Sequence, residues 1–184
     1  MATSIKVSDN IERLPANPFA FEVLNLASKQ RTNAKKAQVL REYNDPSLQT
    51  LLIWNFDETV VSMLPSGVAS TKEQTSFSGT LGEKIDTAVK MMGELGSQSL
   101  GSQDQGKTSI RKEYKYFYNF VKGGNDGLSS MKRETMFIGI LEGLHPLEAE
   151  ILLLVKDHNL QERYKITKKN VSDAFPEIKW GNRS

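Results

Sequence analysis

Residues 110–156 read IRKEYKYFYNFVKGGNDGLSSMKRETMFIGILEGLHPLEAEILLLVK, and the fold class is decided there. Ile110, Tyr114, Phe117, Tyr118 and Val121 recur at i, i+4, i+7, i+8 and i+11, the spacing that gathers apolar side chains on one helix face. Gly123-Gly124 closes that helix, because glycine accepts the left-handed conformation of a C-terminal cap. Asn125 or Asp126 caps the next helix, whose predicted inward face is Leu128, Met131, Thr135, Ile138 and Leu141. Gly143 stops it. Pro146 opens a third, Leu147 to Lys156, with Ile151, Leu152, Leu154 and Val155 inward.

Outward from this block the same grammar continues. Tyr164-Lys165-Ile166 is a short extended link, Thr167 caps Lys168 to Phe175, and Pro176 ends that helix. The tail carries Ile178 and Trp180, apolar enough to dock back. Toward the N-terminus, Asn17-Pro18 opens a helix with Phe19, Phe21, Leu24 and Leu26 on its apolar side, ending near Ala27. A basic helix follows from Thr32 to Tyr43, with Ala34, Ala37, Val39 and Leu40 inward. Asn44-Asp45-Pro46 breaks it, and a third helix buries Leu48, Leu51, Leu52, Ile53 and Trp54, with Asp57 near its end. Val60 to Leu64 reads as extended chain. No strand-like alternation of useful length occurs. The expected fold is all-α, an irregular bundle of about six to seven helices with a Gly/Ser-rich central insertion.

That insertion is visible in composition. Residues 66–80 are rich in Ser, Thr and Gly, and 96–109 read GSQSLGSQDQGKTS, which cannot build a core. Between them Leu81 to Leu95 has the content for one short helix. The chain divides into a mobile arm (1–15), an N-terminal helical half (16–65), a flexible insertion (66–109) and a C-terminal helical half (110–184), the two halves forming one composite domain.

The 184 residues include no cysteine and two histidines, His145 and His158, which excludes thiolate zinc sites, disulfides, iron–sulfur clusters and cysteine nucleophiles. No apolar run approaches the ~20 residues of a membrane span. The opening MATSIKVSDNIERLPAN has none of the apolar content of a secretory signal, so an intracellular location is the expectation. Lys and Arg (24) nearly balance Asp and Glu (22), yet they are segregated along the chain. Basic islands lie at Lys29–Arg41, Lys107–Lys122 and Arg163–Lys169, and such islands meet phosphates or acidic partners when they converge in space.

One motif imitates an enzyme. Gly101-Ser-Gln-Asp-Gln-Gly106-Lys107-Thr108 fits G-x4-G-K-[ST], in which backbone N–H groups cradle phosphates, the Lys contacts the terminal phosphates and the Thr hydroxyl meets Mg²⁺. A nucleotide-binding domain needs a buried strand before this loop and several parallel strands after it. The preceding residues are Glu94-Leu95-Gly96-Ser97-Gln98-Ser99-Leu100 and the following ones are helical, so the pattern is a decoy of a Gly/Ser/Gln-rich segment. His145 stands before Pro146 and His158 at a helix end, both structural positions. Adjacent Asp57 and Glu58 point to different sides, and no nucleophile constellation is present. No catalytic role, metal or cofactor is expected.

Lys107–Lys122, KTSIRKEYKYFYNFVK, carries the chemistry that remains. With the apolar stripe turned inward, Arg111, Lys112, Lys115 and Tyr116 face solvent, and cations interleaved with an exposed ring suit nucleic acid. Lys35 and Lys36 in the second helix, and Lys168 and Lys169 opening the last one, complete the expected interface. Helix Leu147–Lys156 and helix Thr167–Phe175 resemble a helix-turn-helix only loosely, because the turn is far too long.

The blocks EYKYFYNFVKGGNDGLSSMKRETMFIGILEGLHPLEAEILLLVKD, YKITKKNVSDAFPEI and LREYNDPSLQTLLIWNFDETVVSMLP resemble an uncharacterised protein family of T-even-like tailed bacteriophages, particularly those of marine bacteria. The resemblance implies a viral protein in the cytoplasm of an infected bacterium or in the virion, and it implies no activity. The expected function is that of a non-enzymatic accessory protein binding nucleic acid, or replication and transcription proteins, through its basic helix faces. The alternatives are a protein–protein module for assembly or host inhibition, supported by the aromatics Trp54, Phe56, Phe120, Phe137 and Trp180, and an NTPase using Gly101, Gly106, Lys107 and Thr108.

Overall fold

The computed structural model describes residues 13–64 and 107–183. Seven α-helices occur among these residues: α1 (Ala20–Lys29), α2 (Asn33–Glu42), α3 (Pro46–Phe56), α4 (Ile110–Glu113), α5 (Ser130–Gly143), α6 (Pro146–Lys156) and α7 (Lys168–Ala174). Two 3₁₀ segments, Tyr114–Phe120 and Leu160–Glu162, complete the secondary structure apart from one antiparallel bridge between Ser62 and Val121. The fold is an all-α irregular bundle. Among the described residues no helix is long and apolar enough to cross a membrane.

Helix α6 is the axis. Its residues PLEAEILLLVK are apolar nearly all round, so it can be satisfied only by being surrounded, and every residue except Leu154 is buried. Helices α1, α3 and α5 pack on it, α2 packs on α1, and α7 packs on α2. Phe21, Leu24, Leu40, Leu51, Leu52, Ile110, Leu147, Ile151, Tyr164 and Phe175 meet in one continuous core drawn from both halves of the chain. The bridge closes the same union at the backbone: Met63 N–H donates to Phe120 O (2.8 Å) and Lys122 N–H to Val61 O (2.8 Å).

A buried carboxylate joins two helix starts. Glu148 on α6 accepts the N–H of Ala20 at 3.0 Å and the N–H of Ile110 at 3.1 Å, the first residues of α1 and α4. Both donors are groups that a helix leaves unpaired. Burial nevertheless dominates the titration of Glu148 and pushes it up to about 7, against the pull of those two N–H groups and of Arg111.

Several expectations are corrected. Pro18 does not begin the first helix: Asn17 adopts φ 53°, Phe19 is extended, and the Glu22 carboxylate accepts the Phe19 N–H (2.9 Å) to start α1 at Ala20. The stretch after Ile110 is not one α-helix. Beyond Glu113 it tightens into 3₁₀ geometry, where residues three apart align, so the inward row becomes Tyr114, Phe117 and Phe120 while Tyr118 is 53% exposed. Gly123 takes φ 90°, and a Cβ on Gly124 would lie 1.9 Å from the Tyr118 carbonyl oxygen, so two glycines are required there.

On α5 the inward face is Arg133, Phe137 and Leu141, and Met131 is 78% exposed. The reason is polar. Carbonyls of Asn119, Asn125 and Leu128 converge beneath the first turns, and the Arg133 guanidinium donates to all three (2.8, 3.0 and 3.0 Å). The aromatics expected to be left over are also hidden: Trp54, Phe117, Phe120 and Phe137 pack edge and face at 5.2–6.4 Å, and Phe56 and Trp180 are half-buried. The body exceeds its expected boundaries at two points. Leu14 N–H donates to the Tyr43 hydroxyl (2.9 Å), and Lys107 and Thr108 N–H both donate to Gly143 O (2.8 and 2.9 Å). The remainder of the expected arm and insertion, 1–12 and 66–106, including the short helix expected over Leu81 to Leu95, lies outside the described residues.

Candidate functional site

Two stretches of chain far apart in sequence form a basic cleft. The first is the turn from α1 into α2, where the Thr32 side chain caps α2 by accepting the Lys35 N–H (3.2 Å). The second is the link into α7, which Thr167 and Asn170 cap reciprocally (2.9 and 3.3 Å). Lys36 ties them together, its Nζ donating to Ser28 O (3.3 Å) and to Lys165 O (2.6 Å), while Lys165 N–H donates to Ser28 Oγ (2.8 Å). Asn170 Nδ2 adds a bond to Asn33 Oδ1 (2.9 Å) across the same joint.

The cleft encloses about 610 Å³ and is lined by Lys29, Arg31, Lys36 and Lys165 with Ser, Thr, Asn and Gln side chains between them. Among the described residues no carboxylate is in the lining. The electrostatics register this excess: burial, and then the neighbouring Lys165 ammonium, lower the pKa of Lys36. A bound anion would relieve that repulsion.

Of the residues expected at the interface, Lys36 alone lines this cleft. Lys35 lies on the same helix outside the lining. Arg111 is committed to the body, donating to Pro18 O (3.3 Å) and pairing with Asp45 at 2.5 Å. Lys169 pairs with Asp173 (3.2 Å), and Lys168 lies over the Trp180 ring at 4.9 Å from its centroid. Lys112, Lys115 and Tyr116 are exposed on the α4 and 3₁₀ segment, away from the cleft, with Lys115 Nζ 5.6 Å from the Tyr116 ring centroid. Sequence reasoning placed Lys29, Arg31 and Lys165 in basic islands but not in the site. The missing signal was the contact of α2 with α7, which folds the first island onto the third.

A second concavity of about 370 Å³ opens beside the 3₁₀ segment. Its walls are apolar and aromatic: Ile53, Trp54 and Val60 from α3 and its exit, and Tyr114, Phe117 and Tyr118 opposite. Lys115 and Arg183 stand in its lining, and among the described residues no carboxylate does. The C-terminal segment supplies residues to both concavities. Thr167 lines the cleft, Lys168 next to it covers Trp180, Trp180 Nε1–H donates to Ser172 Oγ (3.1 Å), and Arg183 three residues on reaches the groove.

Asp57 fixes the end of that tail. It accepts from Thr59 N–H (2.9 Å) and Oγ1–H (2.7 Å), from Gly181 N–H (2.9 Å) and from the Arg183 guanidinium (2.7 Å). Burial acts to raise its pKa, but the Thr59 hydroxyl, the two N–H groups and Arg183 outweigh it and hold the carboxyl at about 2.

The phosphate-loop pattern has a different setting from the one its chemistry needs. Lys107 and Thr108 direct their N–H groups at Gly143 O, and the Thr108 hydroxyl donates to Glu113 (2.9 Å). Gly101 and Gly106 lie outside the described residues. His145 is buried against Phe19 and Phe21 and accepts the Leu147 N–H at 3.0 Å as the cap of α6. His158 closes the other end of α6 with φ 59°. Among the described residues no cluster of His, Asp and Glu could hold a metal ion.

A protein-family model, a family of unknown function (DUF6433), matches residues 23–95 and 98–162. No curated protein and no solved structure matches the chain.

Proposed function

We propose that this chain, which belongs to the DUF6433 family of unknown function, is a non-enzymatic binding protein that holds nucleic acid by its phosphates. One observation carries the reading. Lys29, Arg31, Lys36 and Lys165 come from two distant stretches to line one cleft without a carboxylate among them. Three of these are long exposed side chains able to follow a phosphodiester backbone, and Lys36 is a point charge held in place by its bonds to Ser28 O and Lys165 O. The resemblance of the sequence blocks to bacteriophage proteins supports placing the activity in the cytoplasm of an infected bacterium, on nucleic acid or a complex that handles it.

The test is a salt titration of affinity by fluorescence anisotropy, with single- and double-stranded DNA and RNA. Release of counterions from about four phosphate contacts gives a slope of log K against log salt of roughly −3 to −4. The double variant Lys36→Met, Lys165→Met should flatten that slope by roughly 1.5 to 2 without changing the helical spectrum. Absence of binding to all four probes, or binding that ignores salt, overturns the reading.

A further inference from the structure

The aromatic groove is the feature that phosphate binding leaves unused. Here the wall most open to solvent is the Tyr118 ring, turned outward by the 3₁₀ geometry of its segment. Behind it lie Tyr114, Phe117 and Trp54, and at the margin Lys115 and Arg183. A flat aromatic ligand attached to an anionic chain matches this lining on both counts. The exposed Tyr118 ring can stack on a base of any identity, and the Lys115 ammonium meets the phosphate that follows it.

The position of the groove matters as much as its lining. Thr167 lines the phosphate cleft and Arg183 lines the groove, with Lys168 held over Trp180 between them in sequence. Asp57 fixes Arg183 at the far end. A strand whose phosphates lie in the cleft could offer a base to the groove, which has room for one. A duplex keeps its bases paired and stacked and cannot offer one.

We propose that the groove beside Tyr118 is a base-stacking pocket, and that the protein selects single-stranded over double-stranded nucleic acid. This inference rests on the phosphate reading given above, and the probes are chosen to separate the two. Full-length protein is titrated with labelled oligothymidylate, with an abasic strand of the same length, and with the corresponding duplex. The abasic strand carries every phosphate and no base.

Wild-type protein should bind oligothymidylate about tenfold more tightly than either the abasic strand or the duplex. Tyr118→Ala should erase that preference and leave abasic affinity unchanged, while Tyr118→Phe retains it. Because Tyr118 is exposed, its truncation leaves the core intact. Equal affinity for the abasic strand and oligothymidylate, or a preference that survives Tyr118→Ala, overturns the pocket and leaves phosphate binding standing. No binding to any strand overturns both. An acidic Glu-Tyr copolymer that binds wild type but not Tyr118→Ala, with oligonucleotides indifferent to the change, would assign the groove to a protein partner and overturn the inference.

Discussion

The Arg183 guanidinium stands 2.7 Å from the Asp57 carboxylate, an ion pair between residues 126 apart in sequence. Asp57 is almost wholly buried, and two N–H groups and a hydroxyl also point at it, so its charge is compensated from four directions. The C-terminal tail is held by electrostatics as much as by the packing of Ile178 and Trp180.

Acid should therefore release the tail. The folded-state pKa of Asp57, about 2, lies below its unfolded value of 3.8, so its contribution is fully present above pH 3.8 and is lost as pH falls toward 2. Asp57→Ala leaves the Gly181 and Thr59 N–H groups without their acceptor and should cost about 3 kcal/mol in urea denaturation at pH 7. A cost under about 0.5 kcal/mol would show that the tail is held by packing alone.

Glu148 has the opposite linkage. Its folded pKa of about 7 lies above the unfolded 4.5, so between those values the folded protein retains a proton that the unfolded chain has released. Stability should decline as pH rises from 4.5 to 7, by on the order of 3 kcal/mol. Thermal denaturation across this window, compared with Glu148→Gln, isolates the effect: the difference between wild type and variant should change with pH. A constant difference refutes the assignment.

Arg133→Met should be costly and Met131→Ala should not. The first strips three carbonyls of their donor beneath α5, worth about 3 kcal/mol, whereas the second changes an exposed side chain and should stay within about 0.5 kcal/mol. Chemical denaturation of the two variants checks this, and equal costs would mean that the buried face of α5 is assigned wrongly.

Arg111 and Lys165 should separate stability from binding. Arg111→Met breaks the pair with Asp45 and the bond to Pro18 and should lower the melting temperature while leaving the oligonucleotide slope unchanged. Lys165→Met should leave stability unchanged or slightly raised, because it removes the charge that disfavours protonated Lys36, and should reduce the slope by about 0.7 to 0.9. Loss of binding in Arg111→Met with native stability would move the interface to the α4 segment.

Several helix boundaries were legible because they depend on local chemistry, though the first helix starts at Ala20 and not Pro18, and Ser129, not Asn125 or Asp126, caps α5. Thr167 caps the helix it was expected to cap, and Pro46 and Pro146 open theirs, while Thr32 and Asp45 turn out to be caps that were not read as such. Faces were less legible. The stripe through Tyr118 assumed 3.6 residues per turn where the chain adopts three, and the α5 stripe had no means of admitting an arginine as its buried member. The cleft was half visible, as two basic islands whose junction depends on Lys36 reaching Lys165 across 129 residues of sequence. The groove was invisible, since Ile53, Val60 and Tyr118 share no pattern until the chain folds.

Helix α6 spends every side but Leu154 on its neighbours, and that has an evolutionary and a kinetic consequence. A helix without a free face can accept change only in compensated pairs that conserve volume, so drift should be slowest along Pro146–Lys156. Its interior amides should exchange with deuterium only when the whole molecule opens, making them the natural clock for global unfolding.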